Sequence, residues 1–167
     1  MMLAQIQLAC LALIAILLVA GAIRDLRTMQ ISDGFSIGIA ILFSVWAVIG
    51  IGSGDISMTE FAMAIACGAA VSSLGLAAFA FGALGGGDVK MMAAVSLLAG
   101  PSLVGGFLAT TAIAGGVLGL ASLAGAPIGR AALAGADPLK RHLVREVPYG
   151  PAIAAGGLWV VVSLGLN

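Results

Sequence analysis

Long apolar stretches occupy most of this chain and limit the folds that it can adopt. A helix needs about 20 residues to cross a hydrocarbon core of about 30 Å, and four of the stretches reach that length. Charged residues make up 8% of the sequence, whereas soluble domains have roughly 25%. We therefore expect an integral membrane protein. The stretches cover residues 3–23, 35–51, 61–84, 89–99, 102–124 and 149–166.

The basic residues predict how these stretches are threaded through the membrane. All seven fall in three connections, 24–34, 85–90 and 125–148. Because cytoplasmic loops are enriched in Lys and Arg, the three connections should share the cytoplasmic side, which requires the short stretch 89–99 to cross. The prediction is an all-α polytopic bundle of six transmembrane helices with a short fourth helix. It forms a single domain over residues 1–167, with both termini outside. The basic residues are Arg24, Arg27, Lys90, Arg130, Lys140, Arg141 and Arg145.

The residue types exclude several kinds of chemistry. The net charge is zero and aromatic residues are scarce, so nothing indicates nucleic-acid binding. The one histidine, His142, lies in a basic loop, and Cys10 and Cys67 form no CxxC pair. Since no cluster has metal-ligand spacing, we expect neither a metal nor another cofactor. Carboxylate chemistry remains.

Two aspartates stand at matching depths in the predicted bundle. Asp25 ends the first stretch and Asp88 begins the fourth, so both should lie near the cytoplasmic surface. Ionisable residues at membrane depth are candidates for function. Structural roles are the alternative: Asp25 could pair with Arg24 or Arg27 at the interface, and Asp88 could be a helix N-cap.

Three glycines precede the second of these aspartates. Gly85, Gly86 and Gly87 would allow the backbone to turn and would allow another chain to pass close by. Two carboxylates that face each other share one proton, so that one of them stays a base. Such a pair can activate water against a peptide carbonyl while the protonated partner polarises that carbonyl.

Three segments resemble the motifs of type IV prepilin peptidases, which are GxGD intramembrane aspartyl proteases. They are "GGGDVKMM" around Asp88, "RDLRTMQISD" around Asp25, and "VPYGPAIAAG" at the start of the last stretch. The resemblance implies that Asp25 and Asp88 are catalytic. It also implies supporting or substrate-binding roles for Gly85, Gly86, Gly87, Lys90 and Arg27. Lys90 would either orient Asp88 electrostatically or reach toward the interface.

The resemblance further implies a substrate and a location. The substrate would be the leader and hydrophobic helix of a prepilin or pseudopilin, cleaved at the cytoplasmic face of a bacterial inner membrane. Association with the pilus assembly machinery would fit that substrate. The chain looks like the short form of Flp/Tad pilus systems, without the cysteine-rich region, so methyltransferase activity is not expected. Where the family often has Pro-Asn, this chain has Ser32 and Asp33, and Asp33 is a second candidate partner for Asp88.

Two other classes of protein remain as alternatives. A small transporter or channel could use Asp25 and Asp88 as a proton or cation site. Such a protein should have interrupted helices in both halves, whereas only residues 85–88 interrupt a stretch here. A non-catalytic assembly protein would need no pair of acids at matched depth.

Overall fold

The protein is built from α-helices. The computed structural model describes residues 2–126 and 148–166, and within those ranges it contains five helices and no strand. Four of the basic residues that were predicted to be cytoplasmic therefore lie outside the described residues, and so does His142. The four are Arg130, Lys140, Arg141 and Arg145. The helices are α1 (Met2–Thr28), α2 (Asp33–Ser53), α3 (Met58–Ala80), α4 (Gly86–Leu123) and α5 (Gly150–Gly165).

Local sequence signals determine where several helices begin and end. At the start of α3, Ser57 Oγ accepts a hydrogen bond from the Glu60 backbone N–H, and the Ser57 N–H donates to the Glu60 carboxylate. This capping box satisfies two of the free amides of the first turn. Gly54 ends α2 with φ 83°, a left-handed conformation that favours glycine. Pro151 lies in the first turn of α5, where a missing N–H costs nothing.

The helices have the length and composition of a membrane protein. Each of α1 to α4 is long and apolar enough to cross a bilayer, and α5 is an apolar helix of 16 residues. Large apolar side chains are exposed on the outside, among them Leu74 and Ile113. Such surfaces need a hydrocarbon environment, so the protein is embedded in a membrane.

The longest helix is broken in the middle. Gly100 has φ 56° and ψ −172°, outside the helical region, and Pro101 follows it. We call residues 86–99 the first arm of α4 and residues 101–123 the second arm. Along the second arm, Gly106 lies beside Trp159 and Gly115 lies beside Tyr149. The second arm is therefore antiparallel to α5.

The first arm runs in the opposite direction. It begins with Asp88 near Asp25, which in turn contacts Gly150 at the start of α5, and Val95 lies beside Gly157 further along α5. The first arm is thus parallel to α5, and the chain reverses at Gly100. Residues 2–126 and 148–166 form five helices where six spans were predicted, because the predicted spans 89–99 and 102–124 are the two arms of α4. A separate crossing of the bilayer by each arm stays a prediction.

The core of the bundle lies between α1, the first arm and α5. Ile14, Leu18, Met91, Val95 and Ile153 are completely buried there. The connections 29–32 and 81–85 and the start of α5 lie together at one end of the bundle, which we call the site end. The connection 54–57 lies at the other end.

The reversal at Gly100 predicts a strong dependence on glycine. Because an L residue is strained at this φ and ψ, Gly100→Ala should destabilise the protein by about 1–3 kcal/mol. Gly105→Ala is the matched control, since a Cβ at Gly105 would meet no atom within 4 Å. Thermal unfolding in detergent should show a lower midpoint for Gly100→Ala alone. Equal midpoints for the two variants would mean that the backbone break is not required.

Candidate active site

Asp25 is a buried carboxylate whose hydrogen-bond partner is distant in sequence. It lies one turn before the end of α1, and its side chain is only 5% exposed. Its Oδ2 accepts a hydrogen bond from the Gly150 backbone N–H, with an N···O distance of 2.7 Å. Gly150 begins α5, and the first amides of a helix have no partner within the helix and carry partial positive charge. The start of α5 therefore stabilises a negative charge on Asp25.

Only glycine fits at position 150. A Cβ there would lie 2.7 Å from the Asp25 Cβ and 2.8 Å from its Oδ2. The sequence analysis placed this segment in a family motif but did not identify this contact. The available signal was a glycine that directly precedes a proline at the start of the last apolar stretch, because proline is typical of the first turn of a helix.

Asp88 is held in a similar way at the start of α4. The N-cap of this helix is Gly85, and Asp88 is the third residue after it. The alternative role of Asp88 as an N-cap is therefore wrong, because Asp88 lies about one turn after the N-cap. Its Oδ2 accepts a hydrogen bond from the Gly85 N–H at 3.1 Å. A Cβ on Gly85 would come within 2.8 Å of that oxygen.

The structure brings Asp25 and Asp88 together. The charge of Asp25 acts on the half-buried Asp88 carboxyl. Among the described residues, Asp25 forms no ion pair with Arg24 or Arg27, so the interfacial pairing considered for it is not formed. Arg27 is exposed in the last turn of α1, where a positive charge favours the helix C-terminus.

The three glycines before Asp88 do not turn the chain, and one of them, Gly87, has a packing role. None of them has positive φ, and the left-handed residue of this connection is Gly82, with φ 71°. A Cβ on Gly87 would lie 2.9 Å from the Ile31 carbonyl oxygen. Gly87 thus allows the start of α4 to lie against the connection between α1 and α2.

Lys90 and Asp33 form an ion pair at the edge of the site. Lys90 Nζ lies 2.8 Å and 2.7 Å from the two Asp33 carboxylate oxygens, and both side chains are more than half exposed. Asp33, the second candidate partner for Asp88, is therefore engaged by Lys90. In residues 2–126 and 148–166, no group of three His, Cys, Asp or Glu side chains could hold a metal ion.

The close approach of Gly87 to Ile31 leads to a matched pair of substitutions. Gly87→Ala should lower the thermal unfolding midpoint, because the new Cβ would have to push a backbone carbonyl away. Gly86→Ala should keep or raise the midpoint, since its nearest neighbour, Phe79, would be 3.6 Å away and alanine favours a helix over glycine. A Gly87→Ala protein as stable as wild type would show that this contact is not tight.

The arrangement gives two carboxylates that interact with each other. Each is fixed by one amide, and each has lone pairs left for water or substrate.

One comparison with known proteins, the one with family models, agrees with that chemistry. A search of curated proteins and a search of solved structures return no match. The family model described as "Type IV leader peptidase family" matches residues 11–120, more than half of the chain, and this range contains both aspartates. The chain belongs to the type IV leader peptidase family.

Proposed function

We propose that this protein is an aspartic endopeptidase that removes the leader peptide from type IV prepilins of the Flp type, with Asp25 and Asp88 as its catalytic residues. The observation that carries the proposal is the interaction of these two carboxylates at one end of a membrane-embedded bundle. Family membership supports a leader peptidase. The proposal covers peptide-bond hydrolysis and includes no methyl transfer.

The pair would hydrolyse the peptide bond with one water molecule. The ionised carboxylate takes a proton from the water, whose oxygen attacks the scissile carbonyl carbon, while the protonated carboxyl donates its proton to the carbonyl oxygen. The resulting tetrahedral diol collapses: the C–N bond breaks, the amine nitrogen receives the proton that the first carboxylate took from water, and the second carboxylate regains a proton from a hydroxyl of the diol as the carbonyl re-forms. The products are the leader with a new carboxylate and the shortened pilin.

The two backbone amides would position the carboxylates for this reaction. Each amide occupies one carboxylate oxygen, from Gly150 on Asp25 and from Gly85 on Asp88. Because the donors are backbone groups at helix starts, the carboxylates cannot rotate freely. Preorganised groups of this kind lower the cost of reorganisation during the reaction.

Charge supports a cytoplasmic location for the site end. Arg24, Arg27 and Lys90 lie there, whereas Asp55 and Glu60 lie at the other end of the bundle. Basic residues mark cytoplasmic connections. We therefore propose cleavage at the cytoplasmic face of a bacterial inner membrane, with both termini outside. Pilus assembly proteins are the expected neighbours of such an enzyme.

A transporter that uses the same aspartates is the other candidate considered. Family membership does not favour it. Cleavage assays separate the two classes, because a transporter would leave a pilin precursor intact.

Substitution of either aspartate tests the acid pair directly. Asp25→Asn and Asp88→Asn should each lower the cleavage rate of a pilin precursor by about 10³-fold or more, because general acid and base catalysis both need the shared proton. Asp33→Asn should keep the rate within about threefold, since an exposed ion pair contributes little. The measurement is the shift of the precursor on a gel after incubation with purified protein in detergent.

Correct folding of the asparagine variants is checked by their thermal unfolding. A dead Asp33→Asn protein together with an active Asp25→Asn protein would assign the partner of Asp88 to Asp33. Uncleaved precursor in the wild-type reaction would overturn the proposed function itself.

Cleavage should not depend on a metal ion. Because the mechanism uses only the two carboxylates and water, the rate should be unchanged within about twofold after treatment with a strong chelator. The same precursor assay measures it, with and without EDTA. Loss of activity that added zinc restores would contradict the aspartic mechanism.

A further inference from the structure

The amide that holds Asp25 belongs to the peptide bond between Tyr149 and Gly150. The N–H of this peptide donates to Asp25 Oδ2 at an N···O distance of 2.7 Å. Its carbonyl oxygen accepts a hydrogen bond from the Ile153 N–H at 3.0 Å, the first hydrogen bond of α5. Because one planar unit carries both groups, any displacement that tilts this peptide also moves the donor away from Asp25.

The Tyr149 ring packs against a glycine of the second arm. A Cβ on Gly115 would lie 3.2 Å from Cε1 and 3.6 Å from Cδ1 of that ring, whereas carbon atoms are in favourable contact at about 3.5–4.0 Å. The ring therefore lies closer to the backbone of Gly115 than an alanine would allow. Gly115 is buried, and Tyr149 is 36% exposed.

The neighbours of Tyr149 make the chain stiff at this point. Pro148 and Pro151 stand on either side of the pair Tyr149 and Gly150, and a proline ring locks the backbone φ of its own residue near −65°. Pro148 and Gly150 are also buried. A stiff and enclosed segment has few ways to absorb a displacement of the ring, so the displacement passes to the adjoining peptide.

The second arm acts on the site through packing. Residues 101–123 contain no Asp, Glu, Lys, Arg or His, so this arm supplies no acid–base group. It comes close to the start of α5 at Gly115, where a Cβ would lie 3.6 Å from the Ala152 Cβ as well as near the Tyr149 ring. This close approach is two residues from the amide of Gly150.

We propose that Tyr149 is a positioning residue of the peptidase, whose ring, packed against Gly115, orients the Gly150 amide toward Asp25. The inference rests on the proposed function, and it makes the second arm part of the support of the catalytic pair. The atoms in contact with Gly115 are ring carbons, so the aromatic ring carries the role and the hydroxyl does not.

Hydrogen exchange of one amide tests the proposal without an activity measurement. The chain has one tyrosine. NMR-active isotopes in the tyrosine carbonyl and the glycine nitrogen therefore give one carbonyl-correlated amide signal, that of Gly150. Labelled cysteine in place of tyrosine gives a reference signal from Gly68 on α3, because Cys67 precedes a glycine and Cys10 does not.

A matched pair of valine variants displaces the ring or leaves it in place. Gly115→Val puts a branched side chain against Tyr149, and Gly116→Val is the control, because a Cβ at Gly116 would meet no atom within 4 Å. In detergent, Gly115→Val should speed the exchange of the Gly150 amide at least about tenfold, since a hydrogen bond to a charged group is weakened. Gly116→Val should change it by no more than about twofold.

The reference amide separates a local effect from a loss of the fold. In Gly115→Val, exchange at Gly68 should stay within about twofold of wild type, because the fold as a whole remains closed. Unchanged exchange at Gly150, or equal acceleration at Gly150 and Gly68, would overturn the positioning role. If Gly115→Val fails to fold, Gly115→Ala should give a smaller acceleration at Gly150 alone.

Cleavage of a pilin precursor links the contact to catalysis. Tyr149→Ala should lower kcat at least about tenfold with KM unchanged, and the conservative Tyr149→Phe should restore kcat to within about twofold of wild type. The acid limb of the kcat/KM profile of Tyr149→Ala should also move to higher pH, because an ionised carboxylate loses its donor. A role in folding alone would lower the rate by the same factor at every pH.

The outcomes distinguish this inference from the proposed function. If wild type and Tyr149→Ala cleave the precursor equally well, the positioning role is wrong and the proposed function stands. If wild type leaves the precursor intact, the proposed function is wrong, and the exchange of the Gly150 amide still decides whether the Tyr149 ring orients it.

Discussion

The hydrogen bond between Asp25 and Gly150 is the contact on which the site end depends. A buried carboxylate must be matched by a donor, because an unpaired charge in a low-dielectric environment is very unfavourable. Here the donor is an amide 125 residues away in sequence. It fixes the start of α5 against α1, and α5 in turn packs against both arms of α4. The hydrogen bond therefore ties the end of α1 to a helix that contacts both arms of α4.

Both aspartates are stabilised in the same way. Each accepts a hydrogen bond from a glycine amide at a helix start, and at each glycine a Cβ would lie 2.8 Å from the carboxylate oxygen. The amides lie at the positive ends of helix dipoles, which favour negative charge nearby. The interactions that make carboxylates tolerable at this depth also hold them in position for catalysis. In the proposed mechanism, the same two hydrogen bonds therefore serve both stability and catalysis.

The sequence predicted the features that depend on composition and local pattern. The all-helical bundle and the spans of α2 and α3 followed from apolar length, and the pairing of Asp25 with Asp88 followed from matched depth. The contact of Gly150 and the ion pair of Lys90 with Asp33 could not be predicted, because each joins segments far apart in sequence. Tertiary packing selects such partners; the pair Gly150 and Pro151 indicates a helix start but does not identify Asp25 as the residue that it contacts. The merging of two predicted spans into α4 depends on the backbone angles of one residue, Gly100.

The start of the first arm has a consequence for water. Residues 86–99 extend about 20 Å as a helix, whereas α2 and α3, with 21 and 23 residues, extend about 30–35 Å. Because Gly87 lies against Ile31 and Leu97 lies against Gly68 in the middle of α3, the shorter arm starts at the site end, and Gly100 does not reach the opposite end. Gly85 is exposed at the site end, so we expect water beside it. Hydrolysis needs water beside Asp88, and the Gly85 N–H donates to that carboxylate.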